Sequence, residues 1–230
     1  MPTEPGDPAH RPDARASLRA GARAGVPFAL ASGLLAASFG VVAGQAGLPD
    51  VAAIAMSVVV FAGSAQFAAV AVIGAGGSLG AALVAGAMIN SRFLAMGMAL
   101  APSLPGGRLR RALQGQAIVD SSWAMAMRRD GSFDRRFLLG ATAPQYVAWV
   151  LGTVAGVVAA GAIGDVDRFG LDAVFPAFFL ALLIAEAQRP ASRGVAAAGA
   201  AIALALTPFA PAGVPVLAAS VAALWGLRAR

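Results

Sequence analysis

A chain of 230 residues that is 59% hydrophobic and only 12% charged, with a mean hydropathy of +0.76, reads as an all-α polytopic membrane protein with no room for a soluble domain. With no cysteine and one histidine, His10, neither a thiolate nor a histidine metal cluster is available, and no metal or other cofactor is expected. All 17 basic residues are arginines, which rules out a P-loop lysine; they lie between apolar blocks, so the net charge of +6 reads as topology in a lipid bilayer and not as nucleic-acid binding.

Residues 1–24, rich in proline, arginine and small residues, read as a mobile cytoplasmic tail ending in a short basic helix, and residues 25–230 as one membrane transport domain. The apolar run that follows continues without a cleavage site, which argues against a signal peptide. Apolar blocks occupy residues 26–44, 51–74, 79–104, 137–161, 172–188, 194–208 and 213–227. Their unbroken apolarity, without alternation, predicts six to seven helical segments and not a barrel. Abundant glycine and alanine predict closely packed helices. The last two blocks are short for a span and fit tilted helices or a shallow hairpin.

Arginines precede the first block, fill the connection from Arg108 to Arg136, return at Arg189 and Arg193 and end the chain, whereas the opposite connections carry Asp50, then Asp165, Asp167 and Asp172. The positive-inside rule therefore puts both termini and the middle connection in the cytoplasm of a bacterial inner-membrane protein. Three full crossings before Arg108 would violate that placement, so one block must not cross. The better candidate is 79–104, broken at Asn90-Ser91-Arg92; the other is 51–74, interrupted around FAGSAQF. A broken helix must bury its freed backbone or line a cavity, as transporters do at substrate sites. A weak internal likeness between residues 47–66 and 170–188 is consistent with a repeat.

The polar groups inside apolar blocks are the candidate site. Arg92 offers a planar fork for a carboxylate, with Asn90 and Ser91 beside it; helix breaking or backbone pairing is the bland reading. Gly63 would permit a distortion of the backbone, and Ser64 and Gln66, between Phe61 and Phe67, would line a site or stitch helices. Phe61, Phe67 and Met88 would enclose an apolar side chain; with Met96 and Met98, Met88 equally fits ordinary packing. Asp120 is a candidate for a coupling proton or for pairing with Arg92, or else an interfacial carboxylate facing solvent. Glu186 reads as a snorkelling carboxylate, Tyr146 and Trp149 as packing or anchoring groups, and Trp225 as an interface residue.

The order FAGSAQF, NSRFLAMGMALAP, DSSWAMAMRR, GLDAVFPAFF closely resembles the AzlC family, the large subunit of bacterial branched-chain amino acid exporters. Gly63 and Gln66 match its F-x-G-x-x-Q segment, Asn90 and Arg92 its N-x-R pair, and Asp120 and Trp123 its D-x-x-[FW]-A segment, where Ser121 stands in place of an expected second acid. The resemblance implies a permease and not an enzyme, exporting leucine, isoleucine, valine and in some members methionine, with a small AzlD-type membrane subunit as partner. Export of another small hydrophobic metabolite, or a scaffold role without transport, are the alternatives.

Overall fold

Small residues recur at intervals of four along the two longest helices, and their backbones touch. The computed structural model describes residues 14–163, 190–210 and 214–222, with isolated positions between 180 and 188. In chain order the helices are α1 (Ala14–Gln45), α2 (Asp50–Val59), α3 (Gly63–Gly74), α4 (Leu79–Asn90), α5 (Arg92–Leu100), α6 (Arg108–Gly115), α7 (Asp120–Ala126), α8 (Arg135–Ile163), α9 (Pro190–Leu206) and α10 (Val214–Ser220). No β-strand occurs among the described residues, so the helical class expected from sequence holds. The basic stretch expected at the end of the tail is helical from Ala14 and runs on into the first apolar block.

The number of spans is the main correction. Among the described residues two helices are long and apolar enough to cross a membrane, Ala14–Gln45 and Arg135–Ala160, or up to three if the bent pair Leu79–Asn90 and Arg92–Ser103 is one span. That is fewer than six to seven: the blocks at 51–74 and 79–104 are both broken, the helix in block 194–208 has 17 residues, and parts of blocks 172–188 and 213–227 lie outside the described residues. Block 51–74 becomes helices of 10 and 12 residues, and block 79–104 bends by 41° at Ser91. Nearly all of block 172–188, with Glu186 and the second copy of the supposed repeat, lies outside the described residues, as do His10, Asp165, Asp167, Asp172, Arg189 and Trp225.

The chain forms two units. The first comprises residues 14–33 and 93–148 of the described chain, and the second residues 34–92 and those from 149 onward. In the first unit, a methyl group on Gly21, Gly25 or Gly140 would overlap the carbonyl oxygens of Phe137, Ala141 and Leu18 respectively. Glycine here is a packing requirement: it lets α1 and α8 meet backbone to backbone, the contact that small residues make possible between apolar helices. A core of Leu100, Leu104, Ile118, Ala126, Phe133 and Leu138 fills the rest of this unit. Trp123 packs on Phe133 with ring centroids 5.0 Å apart and donates its indole N–H to the Met96 carbonyl at 3.2 Å.

A tight turn delivers the chain into α8. Gly131 at φ 79° closes it, and Arg128 N–H donates to the Ser132 carbonyl at 2.8 Å. Asp134 then caps the helix: its Oδ1 accepts from the N–H groups of Arg136 and Phe137, both at 3.0 Å, and its Oδ2 from Arg128 at 2.9 Å. Partial burial alone would raise the Asp134 carboxyl, but the Phe137 N–H and Arg128 outweigh it and hold the group below the usual carboxylate range.

The second unit repeats the close contact with different residues. A methyl on Gly40 would overlap the Thr153 carbonyl oxygen, and one on Gly156 the Ala37 carbonyl oxygen. Here α3 and α4 pack through Val72, Ala82 and Ala85, and α9 packs against α10.

Two predictions follow from this packing. Gly156→Val should lower the thermal stability of the detergent-purified chain by at least about 1–3 kcal/mol, since the obstacle is backbone that cannot rotate away; Gly44→Ala, where no atom lies within 4 Å, should raise it by up to about 1 kcal/mol. Asp134→Ala should cost about 1 kcal/mol at neutral pH through loss of the cap. Because the folded pKa is depressed, that difference should be constant above the ordinary carboxylate range and shrink as pH falls through the lowered value, which thermal unfolding at a series of acidic pH values reads directly.

Candidate functional site

The break between α2 and α3 is made by Phe61, whose φ of 44° is left-handed and unfavourable for a bulky side chain. The sequence suggested Gly63 as the distorted residue, and the structure corrects this. Gly63 sits instead against the face of Trp149, where a methyl would lie 2.5 Å from the ring carbon Cη2. Its missing side chain makes room for an indole.

What holds the break is Gln66. Its Oε1 accepts from the Ala62 N–H at 3.2 Å and from the Trp149 indole N–H at 3.2 Å. Neither of those groups can accept, so the carboxamide orientation is fixed and Nε2 must donate; it does so to Ser57 Oγ at 3.1 Å. Thr153 Oγ1 donates to the Trp149 carbonyl at 3.0 Å, which leaves Ser57 as donor in the 2.7 Å Ser57 to Thr153 contact. A single directed chain therefore runs from Gln66 through Ser57 and Thr153 to the Trp149 carbonyl. All three polar side chains are fully buried. Phe67, also fully buried, meets Phe39 edge-on with centroids 5.5 Å apart, and Phe39 stacks on Trp149 at 6.4 Å.

The second break differs. Ser78 caps the start of α4 by accepting from Ala81 N–H at 3.2 Å, and α4 ends at Asn90. Ser91 Oγ donates to the Met88 carbonyl at 2.6 Å, an oxygen that also accepts from the Ser91 N–H at 3.2 Å. Arg92 opens α5, is exposed, and donates from Nη2 to Ser64 Oγ at 3.1 Å. Ser64 is the second residue of α3, so this bond joins the N-terminal end of α3 to the residue that begins α5. Asn90 Oδ1 is buried and finds no hydrogen-bond donor among the described residues. A buried acceptor left without a donor is uncommon and costly, and a ligand's N–H would satisfy it.

Of the residues singled out in the sequence, the second unit thus brings Ser64 and Arg92 together beside Asn90 and Ser91. Gln66, Gly63 and Phe67 form a separate buried group around Trp149, with Phe61 at the break itself. Met88 is exposed on α4. Asp120 belongs to the first unit, exposed at the start of α7, while the neighbouring Ser121 donates to Gln145 Oε1 at 2.8 Å. Sequence reading missed Ser57 and Thr153. Each is a hydroxyl inside an apolar run, the same signal that drew attention to Gln66.

Residues 27–163 match the family model described as AzlC protein. The chain is 31% identical over 211 residues to an uncharacterized membrane protein of Archaeoglobus fulgidus, covering 90% of this chain and 92% of that one. It is 26% identical over 196 residues to the inner membrane protein YgaZ of Escherichia coli, covering 80% and 78%, and 22% identical over 159 residues to an uncharacterized membrane protein of Helicobacter pylori. No solved structure matches it.

The buried group is open to direct test. Gln66→Ala would strand the Ala62 N–H and the Trp149 N–H, each at about 1–3 kcal/mol, and would take from Ser57 the bond it accepts while leaving the one it makes to Thr153. Trp149→Phe keeps most of the ring and leaves Ala62 and Ser57 paired, so its loss of thermal stability should be clearly the smaller of the two. Equal losses would show that the carboxamide is not the hub.

Proposed function

Because the chain belongs to the AzlC family of membrane proteins, we propose that it is a permease subunit that exports leucine, isoleucine, valine and methionine across the bacterial inner membrane, alongside a small AzlD-type subunit. The observation that carries this reading is the Arg92 to Ser64 bond across two helix breaks. The first-turn N–H groups of α3 and the guanidinium of Arg92 present positive charge at one place, the pattern expected for an amino acid's carboxylate. The Asn90 Oδ1 is an acceptor suited to the substrate's ammonium group. Apolar residues such as Met88 would take the aliphatic side chain. One methylene is worth only about 1–3 kcal/mol in an apolar pocket, so the four substrates should overlap.

In this scheme Gln66, Gly63, Phe61 and Phe67 act at one remove. Their bonds and contacts hold the break that positions Ser64, and Ser91 steadies the end of α4. Transport is secondary and ion-coupled, with Asp120 as the carboxylate that exchanges a proton. The termini and the arginine-rich connection face the cytoplasm.

The test is efflux from exporter-deficient bacteria loaded with dipeptides of the four amino acids, with and without an AzlD-type partner. Efflux should need both chains. Arg92→Lys keeps the charge but loses the fork, and should raise the half-saturating substrate concentration about tenfold or more; wild-type behaviour would remove carboxylate recognition by Arg92. In the same assay Asp120→Asn should abolish the response to an imposed pH gradient. Absence of efflux with both chains folded in the membrane would favour the scaffold reading.

A further inference from the structure

Charge is distributed very unevenly between the units. Residues 14–33 and 93–148 carry ten arginines against three aspartates, whereas the described part of the second unit holds Arg92, Arg193 and Asp50. Three of the ten lie on α6, whose sequence is RLRRALQG. This helix is too short to cross a bilayer and too amphipathic to be an ordinary loop.

At 3.6 residues per turn, Leu109 and Leu113 fall on one face, with Ala112 at its edge. Both leucines are almost bare, at 75% and 69% exposure. The other side is fastened to the protein. Gln114 Oε1 accepts from Arg135, at the start of α8, at 3.0 Å, while its Nε2 donates to the Pro105 carbonyl just ahead of the helix at 3.1 Å and to the Arg110 carbonyl within it at 2.9 Å. That clamp fixes the rotation of the helix and turns the leucines away from the unit. Arg108 and Arg110 flank the leucine face on either side, and Arg111 lies opposite.

We propose that α6 rests in the membrane interface, with Leu109 and Leu113 among the upper acyl carbons and Arg108 and Arg110 on the phosphates of anionic lipids. An apolar face flanked by arginines is the arrangement that favours such a surface, because the long side chains reach up to headgroups while the leucines stay buried. The excess of positive charge in this unit names the lipid class: anionic, and not zwitterionic. This inference does not depend on what the protein exports.

The chain has no cysteine, so single labelling sites can be introduced cleanly. The full chain carrying Leu113→Cys or Arg111→Cys, labelled with a polarity-sensitive fluorophore, would be placed in nanodiscs of phosphatidylcholine alone or equimolar with phosphatidylglycerol. The label at position 113 should be quenched by lipid bearing a nitroxide high on the acyl chain and shielded from aqueous acrylamide; the label at 111 should behave the opposite way. Lipid co-purifying with the unlabelled chain should be enriched in phosphatidylglycerol. Replacing Arg108 and Arg110 with glutamine should cut that enrichment, by up to about fivefold per arginine. Equal acrylamide quenching at both positions would overturn the proposal by placing the helix in water. Shielding of position 113 from both quenchers would overturn it in favour of a covering protein surface, and enrichment unchanged by loss of the arginines would overturn the anionic assignment.

Discussion

The contact on which the rest depends is the one between the backbones of α1 and α8. Within the first unit, glycines at 21, 25 and 140 set it; within the second, glycines at 40 and 156 do. With no water to expel between apolar helices, close van der Waals approach is what remains to drive their association. Once α8 is seated, it supplies the partners for nearly every buried polar group described above: Thr153 and Trp149 in the second unit, Gln145 and Thr142 in the first. The glycines therefore act beyond packing. They decide which polar side chains can meet.

The two helix breaks show two ways of handling freed backbone in an apolar setting. At Phe61 the protein compensates internally, with a carboxamide taking the place of a missing helical partner and everything near it buried. At Ser91 it compensates only in part, leaving an exposed guanidinium on a serine and a buried carboxamide oxygen with no donor among the described residues. A fully satisfied site has little to offer a ligand. The incompletely satisfied one still has a buried acceptor, Asn90 Oδ1, to offer a ligand's donor.

Much of this was legible in the sequence. The sequence called for one broken block, at NSR with FAGSAQF as the alternative, and in the structure both blocks are broken. The partnership of Arg92 with Ser64 was not foreseen, because residues 28 apart meet only through the packing of α3 on α4. The count of spans was overestimated because only one of the two blocks was expected to break, and because length in an apolar run does not fix the length of the helix it forms. Gly63 was misread as a hinge, since a glycine's use as a seat for an indole depends on a ring 86 positions away. Ser57 and Thr153 carried the right signal but a quiet one, as single hydroxyls in helices often satisfy themselves on the preceding turn.

The directed chain from Gln66 to the Trp149 carbonyl bears on energy coupling. A proton relay needs every member to give one proton and take another, and needs titratable groups at its ends. This chain starts on an amide and stops on a peptide oxygen, with each hydroxyl already committed in one sense. It is a wire with both terminals insulated. Although it is the longest run of buried hydrogen-bonded side chains described in the second unit, it cannot carry current and offers no path along which a proton could cross that unit.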